Sequence, residues 1–247
     1  IFGKTLRKFK AGEKMNATFL LNNKSGNPFL DGTLRTEGTS VDLAAKGELP
    51  FSWLNAFNDW ADWLPVRFTG ASAKIDLSLA GLGRFPRGQF TLSFPDSGFT
   101  LRQGLVVEGL TGEIPLQVLG LPRTRGEQNW RIRAATSGSL VMRDIRLRWS
   151  LPTIRSLRIH ELSGRLGGGT VSADPFSVDP LDPQPAINVR FTQLAASRFL
   201  DWYGEERFAI EGTLSGTLGL QWRKGVWLVG QSGLRIDNST TDNRIVF

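Results

Sequence analysis

The chain carries a single histidine, His160, and no cysteine. There is therefore no thiol nucleophile, no thiolate metal site and no disulfide frame. A Ser-His-Asp relay or a multi-histidine metal site would have to be built around that one ring. His160 sits in Arg158-Ile159-His160-Glu161-Leu162, on the strand face opposite Ile159. An exposed or hydrogen-bonded structural histidine is the expected reading there. Asp and Glu are scattered, and no pair has a context suited to acid–base work. Gly167-Gly168-Gly169 lacks the Lys-Ser/Thr and helix start of a phosphate loop. It reads as a hairpin turn or bulge, because Thr170-Val171-Ser172 continues as a strand. The sequence thus points away from an enzyme and from any cofactor or metal.

The residues with most charge are arginines. Arg131, Arg133, Arg143, Arg146, Arg148, Arg155, Arg158 and Arg165 crowd one middle stretch of a chain whose formal charge is +7. Three readings compete: nucleic acid, anionic lipid headgroups, and the solvated outer face of a sheet. The aromatic residues here fall on the face opposite the arginines, which argues against a base-stacking platform and so against nucleic acid.

What must position these residues is a β framework. Period two dominates the sequence. Ala73, Ile75, Leu77 and Leu79 share a face, with Lys74, Asp76 and Ser78 on the other. Phe90, Leu92 and Phe94 alternate with Thr91 and Ser93. Trp130, Ile132 and Ala134 alternate with Arg131 and Arg133, and Ile145, Leu147 and Trp149 with Arg146 and Arg148. Ile187, Val189 and Phe191 form another such set. The longest run, 208–222, puts Phe208, Ile210, Gly212, Leu214, Gly216, Leu218, Leu220 and Trp222 on one face. Straight, it would span about 50 Å, so a bend at the glycines or an unusually broad sheet is expected. Gly212 and Gly216 on the apolar face leave room for curvature or a ligand.

Two segments depart from period two. Trp53, Phe57, Trp60 and Leu64 recur at helical spacing between Pro50 and Pro65, which predicts an amphipathic helix over 51–64 capped by Ser52. A shorter helix is predicted over 194–203, ended by Gly204. The Pro-rich stretch Asp174–Pro185 is the best linker candidate, or else an edge strand leading into a loop.

The chain is long enough for one large domain or two small ones, and it is read as one β-rich domain over 1–247. A compact chain of this size needs no covalent staples. No apolar run approaches the ~18 residues of a membrane span. The start at Ile1, without Met or signal peptide, suggests a piece of a longer protein. An internal echo joins Val107-Glu-Gly-Leu-Thr-Gly-Glu-Ile-Pro-Leu116 to 210–220, with one residue inserted. Ile159–Gly169 shares its Leu-x-Gly-x-apolar kernel.

From Leu157 onward a family resemblance emerges. Leu157-Arg-Ile-His-Glu-Leu-Ser-Gly-Arg-Leu-Gly-Gly-Gly-Thr-Val171, the segment around Ala195–Leu200, the 210–220 strand, the turn at 223–225 and Leu228–Ile236 follow in order. This order resembles the C-terminal part of the YdbH-like branch of the AsmA/TamB superfamily. The chain departs from the pattern at Gly219, where Pro is expected, and lacks a Gly pair before the closing strand. The resemblance implies a β-taco, a long curved antiparallel or mixed sheet enclosing an apolar groove, here with the two short helices. It implies intermembrane phospholipid transport in the Gram-negative periplasm, within an inner-membrane-anchored protein that reaches the outer membrane. Membrane contact would fall to parts outside this segment. It brings no catalytic residues.

The groove would be lined by Ile75, Leu77, Leu79, Phe90, Leu92, Phe94, Ile145, Leu147, Trp149, Ile210, Leu214, Leu218, Leu220 and Trp222. Its ligands would be phospholipid acyl chains. Some thirty methylenes at ~0.8 kcal/mol each make bare passage through water cost of order 20 kcal/mol, which an apolar trough largely removes. The same face could instead form a closed core. The resemblance also implies a small outer-membrane lipoprotein that adds a strand at the C-terminal end, through Ile245, Val246 and Phe247. Two other readings remain at this point: an assembly factor for outer-membrane proteins, and a carbohydrate- or ligand-binding β-domain suggested by the Trp content.

Overall fold

In the computed structural model of the chain, the described residues are 14–22, 28–37, 40–52, 55, 66–70, 72–81, 87–101, 104–119, 121–195, 209–210, 212–223, 226–237 and 245–246. The strands are β1 (Met15–Asn22), β2 (Pro28–Glu37), β3 (Ser40–Pro50), β4 (Val66–Thr69), β5 (Ser72–Ala80), β6 (Arg87–Leu101), β7 (Val106–Leu119), β8 (Leu121–Thr124) and β9 (Gln128–Ser137). They continue as β10 (Leu140–Thr153), β11 (Ser156–Leu166), β12 (Gly169–Ala173), β13 (Phe176–Val178), β14 (Ala186–Ala195), β15 (Ala209–Ile210), β16 (Thr213–Arg223), β17 (Val226–Asp237) and β18 (Ile245–Val246).

Sixteen strands form one sheet, whose path runs β1-β2-β3-β5-β6-β7-β9-β10-β11-β12-β14-β16-β17. Most neighbours on this path are also neighbours in sequence, so the sheet is close to a meander. Three short strands sit beside it: β4 on β6, β8 on β7 and β13 on β11. Every pairing among the described residues is antiparallel. The end strands β1 and β17 do not pair with each other, so the sheet is open and not a barrel.

The period-two sequence explains the sheet, and a few special residues explain its bends. Asp96 in β6, Asp144 in β10 and Gln193 in β14 have φ of 51°, 52° and 55°, and Gly109 in β7 has φ 67°. The three non-glycine residues fall where the ladders skip, between Phe94 and Ser97, Arg143 and Arg146, and Phe191 and Leu194. Such bulges bend a strand and increase its twist.

Several expectations are corrected. The two helices are not found as elements among the described residues. Phe51, Ser52 and Asn55 have helical backbone, but most of 51–64 lies outside the described residues. Leu194 and Ala195 end strand β14, where each pairs with β16, so the second helix does not start there; 196–203 lie outside the described residues. Apolar spacing alone could not see the β14 ladder that claims those two residues.

The 208–222 run is not one strand. Gly212, at φ 113°, separates β15 from β16, and β15 pairs with β18 in a separate two-stranded sheet. Ile210 is therefore not on the large sheet. Ile245 and Val246 pair with Ile210 and Ala209, so they do not form the edge of the large sheet, which is β17. Phe247 lies outside the described residues. The Pro-rich stretch follows the second of its two readings, a short strand leading into a loop, and not the linker. It holds β13, whose Phe176, Ser177 and Val178 pair with Ile159, Arg158 and Leu157 of β11.

Candidate functional site: one apolar sheet face

Residues paired across an antiparallel ladder point to the same face, so the register shows which side chains meet. In the first half of the sheet three rows are apolar or glycine throughout. One runs Phe19, Gly32, Ala45, Leu77, Phe90, Leu116 from β1 to β7. A second runs Leu21, Leu30, Gly47, Ile75, Leu92, Ile114, and a third Ala17, Leu34, Leu43, Leu79, Gly88, Val118. The other face has the row Leu20, Asp31, Lys46, Asp76, Thr91, Pro115. Lys46 and Asp76 are an exposed ion pair at 3.4 Å.

The second half repeats this. Trp130, Leu147, Leu162, Ala173, Val189 and Leu218 form a row from β9 to β16. Next to it, Ile132 pairs with Ile145, and Val171, Phe191 and Gly216 continue beyond the bulge. Of the expected lining residues, Ile75, Leu77, Leu79, Phe90 and Leu92 are half-buried on this face, as are Leu147, Leu218, Leu220 and Trp222. Phe94, Ile145, Trp149 and Leu214 are buried. Sequence reading missed the β1–β3 contribution. Leu30, Gly32, Leu34 and Val41, Leu43, Ala45 do alternate, but small residues in those runs dilute the signal.

The middle of this face is covered. Phe51, at 2% exposure, stacks on Phe68 with ring centroids 5.3 Å apart. Phe68 stacks on Phe94, Phe94 meets Trp130 edge-on, and Trp130 meets Trp149 edge-on at 5.2 Å. Asn55 is tied to β4, since its amide donates to Phe68 O and accepts from Phe68 N–H, both at 2.8 Å. Trp130 Nε1 donates to Glu113 O, and Trp149 is 7% exposed. Neither indole is presented to solvent as a sugar platform would require.

The titratable groups sit elsewhere. His160 Nε2 lies 2.8 Å from Ser150 Oγ, and its Nδ1 lies 3.5 Å from Glu127 Oε1. The order Ser-His-Glu invites comparison with a hydrolase relay. Ser150 is buried, however, and the adjacent amide of Leu151, an obvious oxyanion donor, already donates to Thr124 Oγ1 at 2.8 Å. The group works as a polar tie between neighbouring strands, and His160 is the satisfied strand histidine expected. Gly167 and Gly168, at φ 53° and 84°, make the β11–β12 hairpin turn. Among the described residues no group of three or more His, Cys, Asp or Glu could hold a metal, and no helix is long and apolar enough to cross a membrane.

The arginines line the outer face, and several are paired. Arg148 meets Glu127 and Glu161, Arg133 meets Asp96, Arg165 meets Asp144, and Arg155 meets Asp179. Asp179 is held below the usual carboxylate range chiefly by the N–H of Leu181, against the opposing effect of burial, with the Arg155 guanidinium adding to the lowering.

Fold and face together define a class: an open antiparallel sheet with one largely apolar face and one charged face. Residues 66–232, two-thirds of the chain, match the family model described as YdbH-like, intermembrane phospholipid transport protein YdbH. The chain belongs to the YdbH-like family. The match starts well before the 157–247 region that carried the sequence resemblance and stops at 232. Searches of curated proteins and of solved structures returned no match.

Proposed function

We propose that this chain is one domain of a periplasmic bridge, and that phospholipid acyl chains pass along its apolar face between inner and outer membrane. The supporting observation is the unbroken apolar register from β1 to β7, taken up again from β9 to β16. A meander of bulged strands with one such face would curl into the trough of a β-taco. Lining comes from Ile75, Leu77, Leu79, Phe90 and Leu92, and from Leu147, Leu218, Leu220 and Trp222. Phe94, Ile145, Trp149 and Leu214 form its buried floor. The task is physical and needs no reacting group. The protein is anchored in the inner membrane and touches membranes through parts beyond this segment.

A small outer-membrane lipoprotein would extend the trough by pairing with β17, whose outer edge has no partner among the described residues. Val226 and Val229 are 55% and 64% exposed there. On this reading the partner strand joins β17 in place of 245–247.

A photo-crosslinking residue at Leu218 tests the reading in cells. Labelled phospholipid is expected from Leu218 and not from Thr217, its exposed neighbour on the other face. Leu218→Arg should impair transport more than Thr217→Arg, because it sets an unpaired charge in the apolar path. Equal labelling at both positions, or none at Leu218, would remove the groove.

A further inference from the structure

Among the described residues, several exposed arginines have no carboxylate partner, Arg131, Arg143, Arg146 and Arg158 among them. Arg131 of β9 and Arg146 of β10 stand directly opposite each other in the ladder. Both are exposed, and among the described residues no acid lies within 4 Å of either. Like charges directly opposed across a ladder destabilise a sheet. The next pairings outward put hydroxyls beside them, Thr111 next to Arg131 and, next to Arg146, Ser163, which donates to Glu161 Oε1 at 3.4 Å. Arg133 and Arg165 stand on adjoining positions of the same patch, where Asp96 and Asp144 answer them at 3.7 Å each.

Arg131, Arg133, Asp144, Arg146, Ser163 and Arg165 line one open hollow of ≈ 850 Å³. Its charged lining is Arg131, Arg133, Arg146 and Arg165 against the single carboxylate of Asp144. The bulge at Asp144, φ 52°, helps shape it. Asp144 pairs with Arg165, while Arg146 and Arg131 stand opposite each other in the ladder.

We propose that this hollow is a binding site for a phosphate-bearing anion, held between the Arg131 and Arg146 guanidiniums. A guanidinium binds phosphate oxygens in a bidentate fork, and two opposed forks match a tetrahedral anion. Binding would also relieve the repulsion that the empty sheet carries. The site lies across the sheet from the apolar face. It therefore does not hold the headgroup of a lipid whose chains run along that face, and it stands independently of the transport reading. Two sources supply this chemistry, the headgroups of an anionic membrane against which the outer face rests, and free phosphate or pyrophosphate. Nucleic acid is the weaker candidate, since Trp130 and Trp149 face the other way and no aromatic ring lines the hollow.

Three binding measurements on the full chain test this, using inorganic pyrophosphate, phosphatidylcholine vesicles with and without phosphatidylglycerol, and a single-stranded oligonucleotide. R131Q/R146Q is compared with R87Q/R223Q, which removes the same charge elsewhere on the chain. Loss of about tenfold or more in affinity for pyrophosphate or for the anionic vesicles is expected in R131Q/R146Q, with R87Q/R223Q within about twofold of the parent. Binding of pyrophosphate identifies a free anion as sufficient; binding of the anionic vesicles alone identifies the headgroup source. R131Q/R146Q should also melt higher than the parent and show no thermal shift with the anion, which separates site loss from misfolding. Equal losses in the two double variants, no binding by the parent, or tighter binding of the oligonucleotide than of either probe would each overturn the site.

Discussion

Two places in the sheet solve one packing problem with the same residues and reach different ends. In β7, Gly109, Leu110 and Gly112 follow each other; in β16 and the bend before it, Gly212, Leu214 and Gly216 do. Both first glycines have positive φ, at 67° and 113°. Both leucines are buried, Leu110 at 1% and Leu214 at 7%, and each belongs to its own core cluster. Both second glycines face a large ring from the next strand. A Cβ on Gly112 would run into Trp130, and Gly216 pairs with Phe191. The difference lies above the face. Over Leu110 the segment after β3 brings Phe51, and Phe68 with it, and the cluster closes. Around Leu214 the described partners are Phe191, Leu194, Leu166, Val171 and Leu218, all from the sheet itself. An apolar face alone does not choose between core and trough. What crosses it does.

The largest expected effect follows from that closure. Leu110→Ala should destabilise by about 3–5 kcal/mol, since a sealed site cannot collapse around the cavity. Leu214→Ala should fall nearer 2 kcal/mol, because its surroundings are less enclosed. Urea unfolding monitored by Trp fluorescence reads both. Equal costs would erase the distinction between the two regions.

A smaller effect separates the glycine sockets. Gly112→Ala should cost about 1–3 kcal/mol, as the new methyl displaces the Trp130 ring that also touches Phe94 and Trp149. Gly138→Ala is the comparison at a turn. Nothing lies within 4 Å of the added carbon there, and only the φ of 58° is strained. It should cost about 1–2 kcal/mol and leave the aromatic near-ultraviolet signal intact. If Gly112→Ala also leaves that signal unchanged, the socket is not what the geometry says.

The echo between 107–116 and 210–220 was legible in the sequence, and so was the alternation that fills each strand. The meaning of the echo was not. Leu110 and Leu214 look alike as letters, and only the position of Phe51 tells them apart. The same limit applies to Leu194 and Ala195. Their spacing suits a helix, yet a ladder to β16 from far along the chain decides otherwise. Ile210 shows it again, because one glycine at positive φ moves it to another sheet. The arginines were legible as an exposed face. Which of them lack a partner depends on bulges at Asp96 and Asp144 that alternation cannot reveal.

The smallest expected effect belongs to a place outside both clusters, the turn after β13. Asp179 accepts the N–H of Leu181 at 3.0 Å and the Nε–H of Arg155 at 2.9 Å. Those interactions favour the carboxylate and lower its folded pKa. The sign then follows. Their contribution to stability is complete above the ordinary Asp range, and it declines as pH falls from there through the lowered folded value. Asp179→Asn removes the charge but keeps an oxygen for Leu181. The difference in urea midpoint between parent and variant should be constant above about pH 5 and shrink toward pH 2. Because β13 pairs with β11 alone among the described strands, the effect should be small and local. A parent–variant gap that stays flat from pH 6 to pH 2 would show that the turn does not depend on the carboxylate's charge. A gap as large as that of Leu214→Ala would show that this satellite strand is coupled to the second core and is not peripheral to it.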